Sequence, residues 1–280
     1  MSKKGGFAIV LLVILASGVI LFGMNYSKKQ QKELMAVSEQ TDQQELGSTK
    51  EDTTEQLANY ENSRQEMSAL DYIKYVSLVK EEEVSLSFYG DIAEEEQWIS
   101  EAEQYINDQT NKTIKVNRLV NPDYDSYKLI SENKVVELAE TKPDVVFFQL
   151  PAYADQKLDI SLVDSSEYLT MNYEAIKDAL PESLVVFISP NPSSSEKGNN
   201  NSRTLDYTSY LNEMMSTIQD NEWISFDLHE RYLEKLEADG VALESTLSEN
   251  GRTLNTEGTD LYSTLFEESL DQKIDTTSGM

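Results

Sequence analysis

The chain has 280 residues, with 51 acidic against 23 basic side chains and a formal net charge of −28. That length holds one good-sized domain with appendages or two small domains, and a surface of this sign repels a duplex, so no nucleic-acid partner is expected. The absence of cysteine excludes disulfides, a thiolate-ligated metal, a thiol nucleophile and the lipidation site of a bacterial lipoprotein.

Residues 7–24 read FAIVLLVILASGVILFGM, without a charge. With Gly5 and Gly6 the run reaches the about 20 residues a helix needs to cross a bilayer. Ala16-Ser17-Gly18 falls inside the run and bulky residues follow it, so an uncleaved anchor is expected rather than a cleaved signal peptide. Lys3 and Lys4 flank one side and Lys28, Lys29 and Lys32 the other, a near tie for the positive-inside rule. Residues 25–70 are rich in Gln, Glu, Lys, Ser and Thr, and Leu34, Val37 and Leu46 sustain no heptad. A polar stalk is expected there, and from Asp271 a polar tail.

The globular part is expected over 71–270. Val84–Tyr89 reads as a strand, and Trp98, Ala102, Tyr105 and Ile106 lie at helical spacing. Thr113–Arg118 is a second strand and Tyr127–Glu140 a second helix. Val145–Phe148 and Leu184–Ile188 are short unbroken apolar runs bounded by turn residues, the pattern of strands buried on both faces. Tyr168–Leu180 between them is helical. A helix over Leu205–Gln219, a strand over Trp223–Phe226, and helices over His229–Ala238 and Glu257–Leu270 complete the chain. Strands alternating with helices predict an α/β protein, a three-layer α/β/α sandwich around a parallel sheet of about five strands. Ligands then gather at the carboxyl ends of those strands.

Three segments belong at such ends: Tyr89-Gly90-Asp91-Ile92, Leu150-Pro151-Ala152-Tyr153-Ala154-Asp155, and Asn250-Gly251-Arg252-Thr253-Leu254-Asn255-Thr256-Glu257-Gly258. In order and spacing they resemble the three motifs of the SGNH/GDSL hydrolases over roughly residues 70–270. These motifs are Gly-Asp-Ser, Gly-x-Asn-Asp, and Asp-x-x-His extended as Asp-Gly-x-His-Pro-Asn-x-x-Gly. Pro143–Phe148 and Ser189-Pro190-Asn191-Pro192 resemble the membrane-anchored bacterial branch of that family, near surface-polysaccharide functions. The resemblance, the short N-terminal tail and the lack of cysteine favour an N-terminus inside and the domain outside the cell.

Gly90, Asp91, Asp155, Gly251, Asn255 and Gly258 match the motifs and are expected to line an inherited cleft. The positions of the chemistry do not match. Ile92 stands for the nucleophile, Ala154 for the oxyanion Asn, Asn250 for the triad Asp and Thr253 for the His. A further family motif, a lone Gly after the second strand, has no clear match, and Asn121-Pro122-Asp123 occupies that region. Acyl transfer by this route needs a hydroxyl, a base and an orienting acid. Loss of one oxyanion donor alone costs about 10²–10³ in rate. No intact catalytic residue, no cofactor and no metal is expected.

Several residues have two readings. His229, the single histidine, is a general base or a surface or capping group. Asp91 and Asp155 are an acid–base pair, or turn residues bonded to nearby amides. Glu81-Glu82-Glu83 and Glu94-Glu95-Glu96 bind cations or form a solvated face. The Ser193–Ser202 stretch is a loop at the active-site end. The resulting expectation is a catalytically inactive, membrane-anchored envelope protein that binds a glycan or a protein partner. The alternative is an esterase or O-acetyl-hydrolase of surface glycans with a nucleophile among Ser85, Ser87, Ser126 and Thr253.

Overall fold

The computed structural model describes residues 48–80, 82–93 and 96–279. The expected anchor at 7–24, residues 25–47 of the expected stalk, and Glu81, Glu94 and Glu95 lie outside them. Among the described residues no helix is long and apolar enough to cross a membrane. Of a first unit, residues 1–56, only the start of helix α1 (Ser48–Asn62) is described.

The second unit, residues 57–280, is an α/β domain. In chain order it continues through β1 (Met67–Ser68), α2 (Ala69–Val79), β2 (Ser85–Gly90), α3 (Gln97–Thr110), β3 (Lys115–Val120), α4 (Ser126–Ser131), α5 (Val135–Glu140) and β4 (Val145–Gln149). Then follow α6 (Ala152–Lys157), α7 (Leu162–Ala179), β5 (Leu184–Ile188), α8 (Tyr207–Asp220), β6 (Ile224–Phe226), α9 (Leu228–Asp239), α10 (Thr256–Leu270) and β7 (Lys273–Ile274). Five strands pair in parallel in the order β3-β2-β4-β5-β6. The order reverses between β2 and β4, which opens a crevice at their carboxyl ends.

The apolar runs form strands because each feeds two cores. Leu86, Phe88, Val145, Phe147, Val186 and Ile188 face α2, α3, α9 and α10. Tyr89, Val146, Phe148, Val185 and Phe187 face α4, α5, α7 and α8. On the first side Phe88 stacks on Phe147 at 5.2 Å and meets Trp98 edge-on at 5.3 Å. The helix expected over Tyr127–Glu140 is two helices. Asn133 takes a left-handed φ of 53°, and the Lys134 N–H returns to the Leu129 carbonyl at 3.0 Å, which ends the first.

Two boundaries differ from expectation. Leu57 and Tyr60 pack on the core, and Met67, Ala69 and Leu70 are buried in it, so the domain begins well before residue 71. The polar tail is also part of it. Met67–Ser68 pairs antiparallel with Lys273–Ile274. Thr276 is fully buried, and its N–H donates to the Arg64 carbonyl at 2.8 Å. Polar residues integrate here through main-chain pairing, which leaves no hydrophobic pattern to read.

Candidate functional site

At the carboxyl ends of β2 and β4 lies a cavity of about 260 Å³. Gly90 makes it possible. Its φ of 114° suits glycine, and a Cβ there would overlap the Gln149 carbonyl oxygen of the neighbouring strand. The chain turns sharply after it and aims Asp91 into the cavity. The Asp91 Oδ1 accepts from the Asp123 N–H at 2.8 Å, and its main-chain carbonyl accepts from Gln149 Nε2 at 2.6 Å. Burial pushes the Asp91 carboxyl up to about 6, against the opposing pull of the Asp123 amide and of Arg252.

Arg252 dominates the opposite wall. Its guanidinium carbon sits 4.6 Å from the centre of the Tyr153 ring. Its nitrogens stand 3.9 Å from Asp91 Oδ2 and 3.8 Å from Asp123 Oδ1. Tyr153 is fixed in turn: its hydroxyl donates to the Asn191 carbonyl at 2.6 Å, and its ring stacks on Tyr207 at 4.4 Å. Glu96, Pro122, Asn250 and Thr253 complete the rim. Glu96 is no solvated charge, since burial raises its carboxyl.

The positions read as lost chemistry fall apart in space. Ile92 does not face the cavity; it is fully buried in the core that contains Phe88 and Trp98. Ala154 is likewise buried. Asn250 and Thr253 do line the cavity, and they hold one another: Asn250 Nδ2 donates to Thr253 Oγ1 at 2.8 Å, and Asn250 Oδ1 accepts from the Thr253 N–H at 2.9 Å.

Of the six residues expected to line the cleft, only Asp91 does so. Asp155 is fully buried, and its carboxylate accepts from Ser126 N–H at 2.7 Å, Ser126 Oγ at 2.8 Å and Ser165 Oγ at 2.5 Å. It ties α4 and α7 to α6; it shares no hydrogen bond with Asp91 and acts on it only as a like charge that helps raise the Asp91 carboxyl. The Gly251 carbonyl accepts from Ser193 Oγ at 2.7 Å and anchors the loop that follows β5. Asn255 caps α10 by accepting from the Gly258 N–H at 3.0 Å. A Cβ on Gly258 would overlap the Thr246 carbonyl.

His229 belongs to a different place. It borders a larger cavity, about 830 Å³, between α8 and α9. Size does not make that cavity the chemical site, because the strand-end loops converge elsewhere. The His229 Nε2 shares a hydrogen bond with the Tyr207 hydroxyl at 3.0 Å, and its main-chain N–H donates to Ser189 Oγ at 2.8 Å. Burial lowers the imidazole to about 4, with Asp227 opposing. Among the described residues no serine or threonine hydroxyl bonds the ring. Ser85, Ser87 and Ser126 are buried within the fold, where their hydroxyls bond Asn117, Thr141 and Asp155 respectively. Of the four proposed nucleophiles only Thr253 lines the cavity.

The architecture is that of known hydrolases. A GDSL-like lipase from Parabacteroides merdae superposes with a TM-score of 0.54 at 11% identity, covering 68% of this chain and 96% of that one. A lipase/acylhydrolase from Enterococcus faecalis gives 0.53 at 16% identity, covering 67% and 95%. The acetyl xylan esterase AlAXEase gives 0.52 at 14% identity, covering 66% and 99%. The fold is that of the SGNH/GDSL hydrolases. At such identities the likeness concerns the SGNH/GDSL fold and carries no residue roles. No protein-family model matches the sequence, and no curated protein matches it.

Sequence reasoning missed Arg252, Tyr153 and Gln149 as cleft residues. One signal existed for the first: Arg252 is the only Lys or Arg between Lys235 and Lys273. Nothing in the sequence brings Asp123 and Tyr153 to its side.

Proposed function

We propose that the chain is a single-pass membrane protein, anchored through residues 7–24, whose extracytoplasmic SGNH/GDSL-fold domain has lost catalysis. In this reading it binds or helps assemble cell-envelope polysaccharide through the old cleft. One observation carries the loss of catalysis. The chain's single imidazole is buried and bonded to Tyr207, and it does not line the cavity that Asp91, Arg252 and Thr253 share. Without an imidazole in that cavity, the family's route has nothing to take the proton of an attacking hydroxyl.

A second reading has its own support. The Asp91 carboxyl, raised to about 6, shares the cavity with the Thr253 hydroxyl, and a group titrating near neutrality is suited to general-base work. That arrangement would make the chain an ester hydrolase of surface glycans.

Fluorophosphonate labelling of the detergent-solubilised full chain separates the two, together with p-nitrophenyl acetate turnover. The inactive reading expects no labelling and no turnover above blank; labelling lost in Thr253→Val establishes the other. The anchor is tested by alkaline extraction of membranes, after which the chain stays in the pellet. Release into the supernatant refutes the anchor.

A further inference from the structure

A second cavity, about 390 Å³, adjoins the cleft and shares Tyr153 and Arg252 with it. The Arg252 guanidinium lying on the Tyr153 ring is the partition between them. Resting on the glycan-binding reading, we propose that the two cavities are neighbouring subsites of one groove for an uncharged, hydroxyl-rich glycan chain. A vicinal diol of one sugar bridges Arg252 and Asp91.

The hydrogen-bond capacity at the partition is unspent. The Arg252 side chain is held by its ring contact and by two carboxylates at 3.8 and 3.9 Å. Those separations exceed hydrogen-bond length, and among the described residues its guanidinium donates no hydrogen bond. Asp91 is more than nine-tenths buried, and its Oδ1 is used by the Asp123 amide. Its Oδ2 accepts no hydrogen bond among the described residues, and the guanidinium stands 3.9 Å from it. A donor-only group thus stands beside an acceptor-only group, with both free valences facing the cavity. The complementary ligand presents an acceptor and a donor side by side. Adjacent hydroxyls on a sugar ring do this, because each hydroxyl accepts as well as donates.

Charge selects within glycans. The carboxylates of Asp91, Glu96, Asp123 and Glu196 line the two cavities against Arg252 and Lys157. A uronate- or phosphate-bearing chain meets net repulsion, and an ammonium in place of a hydroxyl at the partition has no lone pair to offer Arg252. The second cavity is walled by Gln156, Asn199 and Asn200, whose remaining amide valences suit hydroxyls in either direction, while the Asn201 amide is spent on Tyr210, the Gln156 carbonyl and the Arg203 and Leu205 N–H groups. That wall is built into the fold. Gln156 Nε2 donates to the Asn199 carbonyl at 2.7 Å, and Asn201 Nδ2 donates to the Gln156 carbonyl at 3.1 Å.

The test is a fluorescently tagged full-length chain in detergent, applied to an array of microbial glycans divided into neutral, uronate- or phosphate-bearing, and amino-bearing sets. Calorimetry with the best neutral oligosaccharide follows. Neutral glycans are expected to bind. Arg252→Met weakens them by at least about tenfold, the worth of a charged hydrogen bond. Arg252→Lys keeps the charge, loses the planar donor fork, and also weakens them. Asn200→Ala, at the rim of the second cavity, weakens a tetrasaccharide and spares a disaccharide. Thermal midpoints of the variants report whether each is folded. Binding of anionic glycans as tight as neutral ones overturns the inference and leaves glycan binding standing, and so does a folded Arg252→Met chain with unchanged affinity. Silence across every set removes the glycan reading and this inference together.

Discussion

Replacing Ile92 by serine writes the Gly-Asp-Ser motif back into the sequence, and the fold predicts that this fails as a repair. The Ile92 side chain is fully buried in the core shared by Phe88 and Trp98. Truncating a buried isoleucine costs about 2–5 kcal/mol through lost transfer energy and the cavity left behind. A serine hydroxyl left there without a partner adds about 1–3 kcal/mol. The sum, roughly 3–8 kcal/mol, is a large part of the about 5–15 kcal/mol that holds a typical domain. Both tryptophans of the chain, Trp98 and Trp223, lie in this domain. Denaturant titration of the solubilised full chain followed by their fluorescence therefore reads the loss. Ile92→Ser is expected to unfold at much lower denaturant and to stay inert to fluorophosphonate. A stability loss under about 1 kcal/mol, or labelling of the variant, would show that position 92 faces the cleft and that the account of it given above is wrong.

Three further outcomes follow from the geometry. The Asp91 carboxyl titrates near 6 when folded, above its ordinary value. The folded chain therefore holds the proton more tightly, and stability falls as pH rises from about 4 to 6. Asp91→Asn removes that term, so its stability relative to the native chain should improve by about 2–3 kcal/mol from pH 4 to pH 7. An equal difference at both pH values in urea titrations argues against a buried Asp91. The single His229, lowered to about 4, should give one imidazole proton resonance that does not move between pH 5.5 and 8. A midpoint above 6 would mean an exposed ring. Deleting residues 272–280 removes β7 and the buried Thr276, and should lower stability by about 1–3 kcal/mol despite the polar composition. An unchanged unfolding midpoint would make the segment a loose tail after all.

The centre of the sheet was legible because Val145–Phe148 and Leu184–Ile188 are unbroken apolar runs. They supply side chains to both cores alternately, and such runs have few other interpretations. Helix α6 was missed because six residues with a Tyr, an Asp and a Gln carry too little periodicity. At the site, Gly90 and Asp91 could be named from the motif. The direction of Ile92 could not, since it follows a glycine at φ 114°, where the alternation of a strand no longer applies. Asp155 could be named but its role could not. Its three partners come from two helices, at positions 126 and 165, and no local pattern joins them. The Arg252–Tyr153 contact spans about a hundred residues of chain and exists only once the fold has closed.

The pairing of Met67–Ser68 with Lys273–Ile274 has a consequence for how this protein comes into being. The domain's opening strand finds its partner about two hundred residues later in the chain. A chain still emerging can assemble much of its sheet, but it cannot fasten its own beginning. Completion therefore waits for Lys273–Ile274 to emerge, and a load placed closely behind Ile274 acts on the fastening itself. The same proximity of the two ends makes the domain a natural subject for circular permutation, with a short linker bridging them and new termini opened in a surface turn elsewhere.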